Sequence, residues 1–182
     1  MGLKLNLGCG TDLRQGWTNA DRIALAGVDI VCDLDEQWPW EDDSVEQVWA
    51  SDVFEHLRDK MHTLEELWRV CRHGAICEIE TPNGQWNLCQ WADPTHRTSW
   101  EPENLEFLRP GHFWYFITPA KFVTLEMRAE AGRIYWKLAA YKEWDEELEG
   151  LHDHEAYRAW QETRTRTALA ASEEKLRREP AR

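Results

Sequence analysis

Leu3-Lys4-Leu5-Asn6-Leu7-Gly8-Cys9-Gly10 opens the chain as an apolar-polar alternation that runs straight into a glycine turn. Alternation at period two is the signature of a strand, and paired glycines stop it while letting the backbone turn sharply. Four more segments read the same way: Trp17–Asp21, Val28–Cys32, Val45–Ala50 and Ala75–Thr81, the last ended by Pro82-Asn83-Gly84. Between the fourth and fifth lies a helix, with capping-box spacing at Thr63 and Glu66, an apolar stripe of Leu64, Leu67, Trp68 and Cys71, and Gly74 just past its expected end. A shorter helical turn is expected over 52–57. Strands alternating with helical segments imply a mostly parallel sheet.

Two connections are too short for that pattern. Residues 8–16 and 22–27 fall below the roughly 10–12 residues of a normal parallel crossover. The sequence therefore predicts crossovers stripped to turns and a sheet face poorly covered, which favours a partner chain or a homo-oligomer. Beyond the fifth strand, residues 84–118 read as an insertion rich in tryptophan. Residues 119–131 fit either a strand or a helix. Val123, Leu125, Met127 and Ala129, followed by Ile134, Trp136 and Leu138, favour an antiparallel hairpin, while Thr118-Pro119 and Gly132 would suit the ends of a helix. The domain reading is 1–141 with the 84–118 insertion, and a helical extension over 142–182.

Composition removes several functions. The chain has 182 residues and a net charge of −13, a poor match for duplex DNA or an anionic membrane. No apolar run approaches the roughly 20 residues of a membrane span. The start M-G-L-K-L-N-L does not read as a signal peptide. Five cysteines, odd in number and loosely spaced, suggest a reducing cytoplasm rather than a disulfide framework. His152-x-His154 is too little for a metal site, and no metal is expected.

The chemistry concentrates between residues 5 and 33. Gly8 and Gly10 let main chain approach a ligand closely. Asp21, ending the second strand, offers two carboxylate oxygens to a ribose diol, and Asp33, after the third, can accept from an adenine amino group. Such residues gather beyond the carboxyl ends of the strands, where open α/β sheets bind ligands. A dinucleotide fits badly. The third glycine of its fingerprint is absent, and Asp21 follows Gly10 by far fewer than the usual ~20 residues. Residues 29–55 hold ten acids and no base, which repels pyrophosphate and suits a cofactor with a positive centre.

At this point the chain resembles the class I S-adenosylmethionine-dependent methyltransferases, of the small type-11-like kind. The matching blocks are L-N-L-G-C-G (5–10), G-W-T-N-A-D (16–21), V-D-I-V-C-D-L-D (28–35), W-P-W-E-D-D-S-V-E-Q-V-W-A-S-D-V-F-E-H-L (38–57) and L-W-R-V-C-R-H-G-A-I-C-E-I-E-T-P-N (67–83). The resemblance implies a doubly wound, mostly parallel Rossmann-like methyltransferase sheet with a C-terminal antiparallel hairpin, and S-adenosyl-L-methionine as cofactor. It implies that backbone of Gly8, Cys9 and Gly10 holds the methionine part, Asp21 the ribose, Asp33 with backbone of Leu34 the adenine, and that Ser51 sits beside the sulfonium. The helices that usually precede the first strand are not seen here, so the cofactor cover is expected from 84–118, the C-terminal helix or another subunit.

The acceptor side is less specific. His56 follows the fourth strand and His96 lies in D-P-T-H-R; both are candidate catalytic bases, with a capping or packing role as the alternative for His56. Trp91, Arg97 and His112 are candidate acceptor contacts, and Trp86, Trp100 and Trp114 either stack on a ligand or fill the core beneath the loop. The expectation is methyl transfer to an oxygen or nitrogen of a small-molecule or sugar-like acceptor, nucleic acid being disfavoured. The alternative is a non-catalytic cofactor-binding partner subunit.

Overall fold

The structure, a computed structural model, describes residues 2–86, 90–109, 117–130 and 132–142. The chain divides into two compact units, Met1–Glu143 and Trp144–Arg182, of which the second lies outside the described residues. The first is built on one seven-stranded sheet. In chain order the strands are β1 Leu3–Leu7, β2 Thr18–Asp21, β3 Ile30–Val31, β4 Val45–Ser51, β5 Cys71–Pro82, β6 Phe122–Glu130 and β7 Arg133–Ala140. Their order across the sheet is β3-β2-β1-β4-β5-β7-β6. β1 to β5 are parallel, while β7 runs antiparallel to both β5 and β6. This is the mostly parallel Rossmann-like sheet with a C-terminal antiparallel hairpin that the resemblance implies, and residues 122–130 are a strand rather than a helix.

The chain winds outward from β1 to β3, then returns to β1's other side for β4. That reversal leaves a crevice between the ends of β1 and β4, the place where open α/β sheets receive ligands.

Alternation decides which face is core. Leu5, Val48, Cys77 and Leu138 form one buried row across β1, β4, β5 and β7, and Leu7, Ala50, Ile79 and Trp136 the next. The opposite face carries Asn6, Trp49, Glu78 and Lys137 in register. Among the described residues there is one α-helix, α1 Lys60–Val70, which packs Leu64, Leu67 and Val70 into the core cluster. Short 3-10 turns at Phe54–His56 and Pro102–Leu108 complete that layer.

The bounds of α1 correct the expected ones. Its N-cap is Asp59, whose carboxylate accepts from the Met61 and His62 amides at 2.8 and 3.2 Å. Thr63 sits one turn further in and donates its hydroxyl to the Asp59 carbonyl. Glu66 is not a capping partner: it accepts from the Trp38 amide at 2.7 Å and pairs with Arg69. An ionised Asp meeting free helix-end amides outcompetes Thr for the cap. At the other end the helix stops at Val70 and β5 begins at Cys71, so Gly74 (φ +74°) turns the chain within β5's first residues instead of ending the helix.

The stripped crossovers are real among the described residues, where no helix lies between β1 and β4. Side chains replace the missing helix. Asn6 donates to the Asp12 carbonyl and to Asn19 Oδ1. Asn19 Oδ1 in turn accepts from the Arg14 amide at 2.8 Å, and the Asn19 amide donates to Asp29 Oδ2 at 2.7 Å. Buried asparagines thereby satisfy loop backbone that a helix would satisfy for itself. The Arg14 guanidinium lies 4.0 Å from the Trp49 ring centre, laying the loop over the sheet's polar face.

Candidate functional site

The cofactor side begins at the end of β1. Gly8 has φ +59°, and a Cβ there would lie 2.3 Å from Val53 Cγ2, so only glycine fits. Gly10 has φ +49° with nothing within 4 Å of its would-be Cβ, an open approach to bare main chain. Cys9 between them is buried and anchored by its amide to the Ala20 carbonyl at 3.0 Å. Burial, then the Asp21 carboxylate, raises its thiol pKa, so it is packing rather than a nucleophile.

Asp21 faces this turn. Its Oδ2 accepts from the Gly10 amide at 2.8 Å and its Oδ1 from the Ile23 amide at 2.9 Å. A carboxylate has about four lone-pair sites, so each oxygen keeps one for a ribose hydroxyl. Asp33 Oδ1 accepts from the Asp35 amide at 3.0 Å, an Asx turn that fixes its direction, while Oδ2 lies 3.9 Å from the exposed Arg22 guanidinium. Burial first, then the Asp33 and Asp21 carboxylates, raises the pKa of the half-buried Cys32 thiol, whose amide donates to the Asp21 carbonyl at 3.0 Å. The Leu34 carbonyl accepts from Trp38 Nε1 at 3.1 Å and its side chain is core.

At the end of β4 the Ser51 hydroxyl meets Glu80 Oε2 at 3.3 Å and Asp52 Oδ2 at 3.4 Å. Asp52 is held at φ +55°, and Arg133 from β7 grips both its oxygens, at 2.8 and 3.0 Å, while lying 3.7 Å from Glu80.

The acceptor side grows from the next residues. Val53, whose methyl presses on Gly8, starts the 3-10 turn that carries Glu55 and His56. The 95–100 stretch of the insertion lies over this turn. The Arg97 and Thr98 amides donate to the Glu55 carbonyl at 2.7 and 3.0 Å, and Thr98 Oγ1 donates to the Phe54 carbonyl at 3.0 Å. The two candidate bases are brought together, with the His56 and His96 rings 4.9 Å apart edge to face. Between them lies a group the sequence reading passed over. Glu55 is fully buried; one oxygen accepts from Thr81 Oγ1 at 2.9 Å and the other has no partner among the described residues. Burial raises its carboxyl above the usual range. The only sequence signal was an acid adjoining His56.

The remaining acceptor candidates divide. Trp91 and Trp86 are 57% exposed, and the Arg97 side chain is also exposed. Trp100 is core, packed tilted against Phe54 and edge to face against Trp136, so it is no ligand platform. His112 and Trp114 lie outside the described residues.

Comparison with known proteins agrees with this geometry. The methyltransferase-domain family profile matches residues 8–79. The sheet has the fold of class I S-adenosylmethionine-dependent methyltransferases. A Thermotoga maritima SAM-dependent methyltransferase superposes with TM-score 0.57 at 13% identity, over 79% of this chain and 83% of that one. A SAM-dependent methyltransferase of Archaeoglobus fulgidus gives 0.54 at 18%, over 76% and 86%. A chain of the Haloferax volcanii complex between the Trm112 methyltransferase activator and a candidate methyltransferase gives 0.55 at 17%, over 77% and 83%. None of the curated proteins compared matches the sequence. S-adenosylmethionine is the cofactor this methyltransferase domain implies, and the open Gly10 turn with spare acceptor sites on Asp21 fits its amino-acid and ribose parts.

Proposed function

We propose that the chain transfers a methyl group from S-adenosylmethionine to an oxygen or nitrogen of a small-molecule or sugar-like acceptor. The observation that carries the reading is the Gly10–Asp21 hydrogen bond, which locks a bare main-chain turn against a carboxylate with one spare acceptor site per oxygen. Gly8, Cys9 and Gly10 would hold the methionine part, Asp21 the ribose, Asp33 and Leu34 backbone the adenine, and Ser51 the region between the ends of β1 and β4.

When bound, the cofactor supplies a carbon already activated by its sulfonium. The chain then has to orient the acceptor, exclude water and take a proton. Orientation alone can contribute about 7–11 kcal/mol. His56 stands at the exit of β4, on the short turn that Val53 starts beside Gly8, and His96 meets it from the insertion, so the proposed proton acceptors adjoin the cofactor turn. Exposed Trp91 and Arg97 flank them and would meet the acceptor; His112, in the same insertion, is proposed with them. The acidic surface favours a small acceptor over nucleic acid.

A cofactor-binding module that works beside another chain is the second reading. Leu13, Ile23, Leu25 and Val31 are exposed around the β2–β3 edge, where the crossovers are thin, and a second copy or partner would cover them. Four free cysteines among the described residues fit a reducing compartment such as the cytoplasm, and no helix among those residues is long and apolar enough to cross a membrane.

Calorimetry with S-adenosylmethionine, S-adenosylhomocysteine and NAD, followed by transfer of labelled methyl to a panel of hydroxylated and amine metabolites, tests both readings. Binding of the first two with turnover supports the enzyme. Their binding without any turnover supports the module, and binding of NAD alone rejects both.

A further inference from the structure

We propose that Glu55, His56 and His96 form a site for a divalent transition-metal ion of the zinc class. One carboxylate oxygen of Glu55 and one ring nitrogen from each histidine lie within 4.8 Å of one another. The two histidines are far apart in sequence, one following β4 and the other forty residues on in the insertion. The fold joins them.

Hydrogen bonding fixes what each histidine has to offer. His96 Nδ1 lies 2.6 Å from the Gln90 carbonyl, which can only accept, so Nδ1 carries the proton and Nε2 the lone pair. His56 Nδ1 lies 3.3 Å from the Thr95 carbonyl and 3.1 Å from Thr95 Oγ1. The Thr95 hydroxyl gives its one proton to Asp93 Oδ1 at 2.6 Å, so His56 Nδ1 is again the donor and Nε2 is bare. Metal-binding histidines are oriented this way, the second ring nitrogen donating to backbone carbonyl.

Glu55 supplies the independent sign of a ligand. Its side chain is fully buried, yet one carboxylate oxygen has no partner among the described residues. A buried acceptor left unpaired is costly, and a cation answers it. Two neutral imidazoles and a carboxylate are the donor set of catalytic zinc sites and of related first-row ions, and not of magnesium or calcium, which take oxygen. Bond lengths of about 2.0–2.2 Å require the three donors to close somewhat from their present spacing. His56 and His96 both sit on short turns, where such closure needs no strand to move. The fourth position would take water, an acceptor heteroatom, or Asp93 Oδ2, which lies 3.9 Å from His96 Nε2. The ligand set requires no cofactor, but it uses the Nε2 lone pairs that the methyl-transfer reading gives to proton transfer, so an ion bound here and a histidine base exclude one another.

The test uses the full chain, stripped with chelator and dialysed separately against Co2+, Zn2+ and Mg2+. Wild type is expected to retain about one Co2+ or Zn2+ per chain and no Mg2+, with the visible spectrum of nitrogen and oxygen ligation and no thiolate charge-transfer band. His96→Ala and His56→Ala should each weaken retention by about 10-fold or more. His62→Ala, Cys32→Ser and a His152→Ala/His154→Ala double variant should leave it unchanged. Circular dichroism confirms folding, and His56→Ala, at a half-exposed position, serves should His96→Ala fail to fold. No retention by wild type, or equal retention in wild type and both active-cluster variants, overturns the site and points instead to a Glu55–histidine proton-sharing pair. S-adenosylhomocysteine affinity, read in parallel, belongs to the methyltransferase reading alone.

Discussion

Val53 presses a methyl group into the space that a side chain on Gly8 would occupy, 2.3 Å from the would-be Cβ. The same residue starts the turn that carries His56, so cofactor turn and acceptor cluster share one packing contact. Gly8→Ala should therefore damage the fold. A positive φ costs about 1–2 kcal/mol for an alanine and overpacking about 1–3 more. Gly10→Ala faces open space and pays only the φ term, yet it plants a methyl on the cofactor's approach. Thermal melts should show Gly8→Ala as the less stable variant, and calorimetry should show Gly10→Ala losing S-adenosylhomocysteine affinity out of proportion to its stability. Equal effects in both assays would refute the division of labour.

Asp21 holds Gly10 and Ile23 while keeping one acceptor site free on each oxygen. Asp21→Ala should weaken S-adenosylhomocysteine binding by about 1–3 kcal/mol, the scale of hydrogen bonds to a charged group. Asp33→Ala, held by one amide, should cost less, and should act on adenosine analogues only when they carry the exocyclic amine. Unchanged affinity on removing Asp21 would falsify its ribose role.

Much of this site was legible because alternation and glycine placement are local signals. Leu3–Leu7 followed by Gly8 and Gly10 fixed β1 and its turn, and the spacing of Asp21 and Asp33 set both on the ends of β2 and β3. The acceptor half was less legible because its geometry comes from residues far apart in sequence. Nothing near Glu55 announces that the Arg97 and Thr98 amides will cap its carbonyl and bury its carboxylate. Likewise Thr63-x-x-Glu66 spells a capping box, but Asp59 reaches the helix end first and Glu66 is drawn to Trp38 and Arg69. From sequence Trp100 fits either a ligand platform or the core beneath a loop, and packing against Phe54 and Trp136 decides for the core. The alternation in 123–129 did carry the hairpin against the Thr118-Pro119 helix signal, because β7 offered a partner to pair with.

The Glu66–Arg69 pair gives the fold an acid limit. Arg69 first, by hydrogen bonds of 2.7 Å from Nε and Nη2, holds the Glu66 carboxyl below its ordinary value of 4.5. A depressed carboxylate contributes stability that is complete above the unfolded value and is lost as pH falls through the folded one. Melting temperature should therefore drop below about pH 4.5 in wild type. Glu66→Gln should already be less stable at neutral pH, by about 2–3 kcal/mol for a partly buried pair broken on one side. Its pH profile should be flatter in that window; a wild-type slope retained in the variant assigns the acid limit elsewhere.

Asn19 stands where a crossover helix would otherwise be. Its side chain accepts from the Arg14 amide and Asn6, its Nδ2 donates to Asp29 Oδ2, and its own amide holds the same Asp29 oxygen. Asn19→Leu preserves size but orphans a half-buried amide at Arg14 and the buried Asn6 side chain. Each unsatisfied group costs about 1–3 kcal/mol, and the two are coupled, so a loss of about 2–4 kcal/mol is expected. Because a helix would satisfy its own backbone and this loop cannot, the damage should be local. Hydrogen exchange should rise first over residues 8–29, with S-adenosylhomocysteine affinity falling as the Gly8–Gly10 turn loosens, while β5 and β7 keep their protection. Uniform exchange across the whole sheet would mean that the asparagine pair supports global stability and not the cofactor turn in particular.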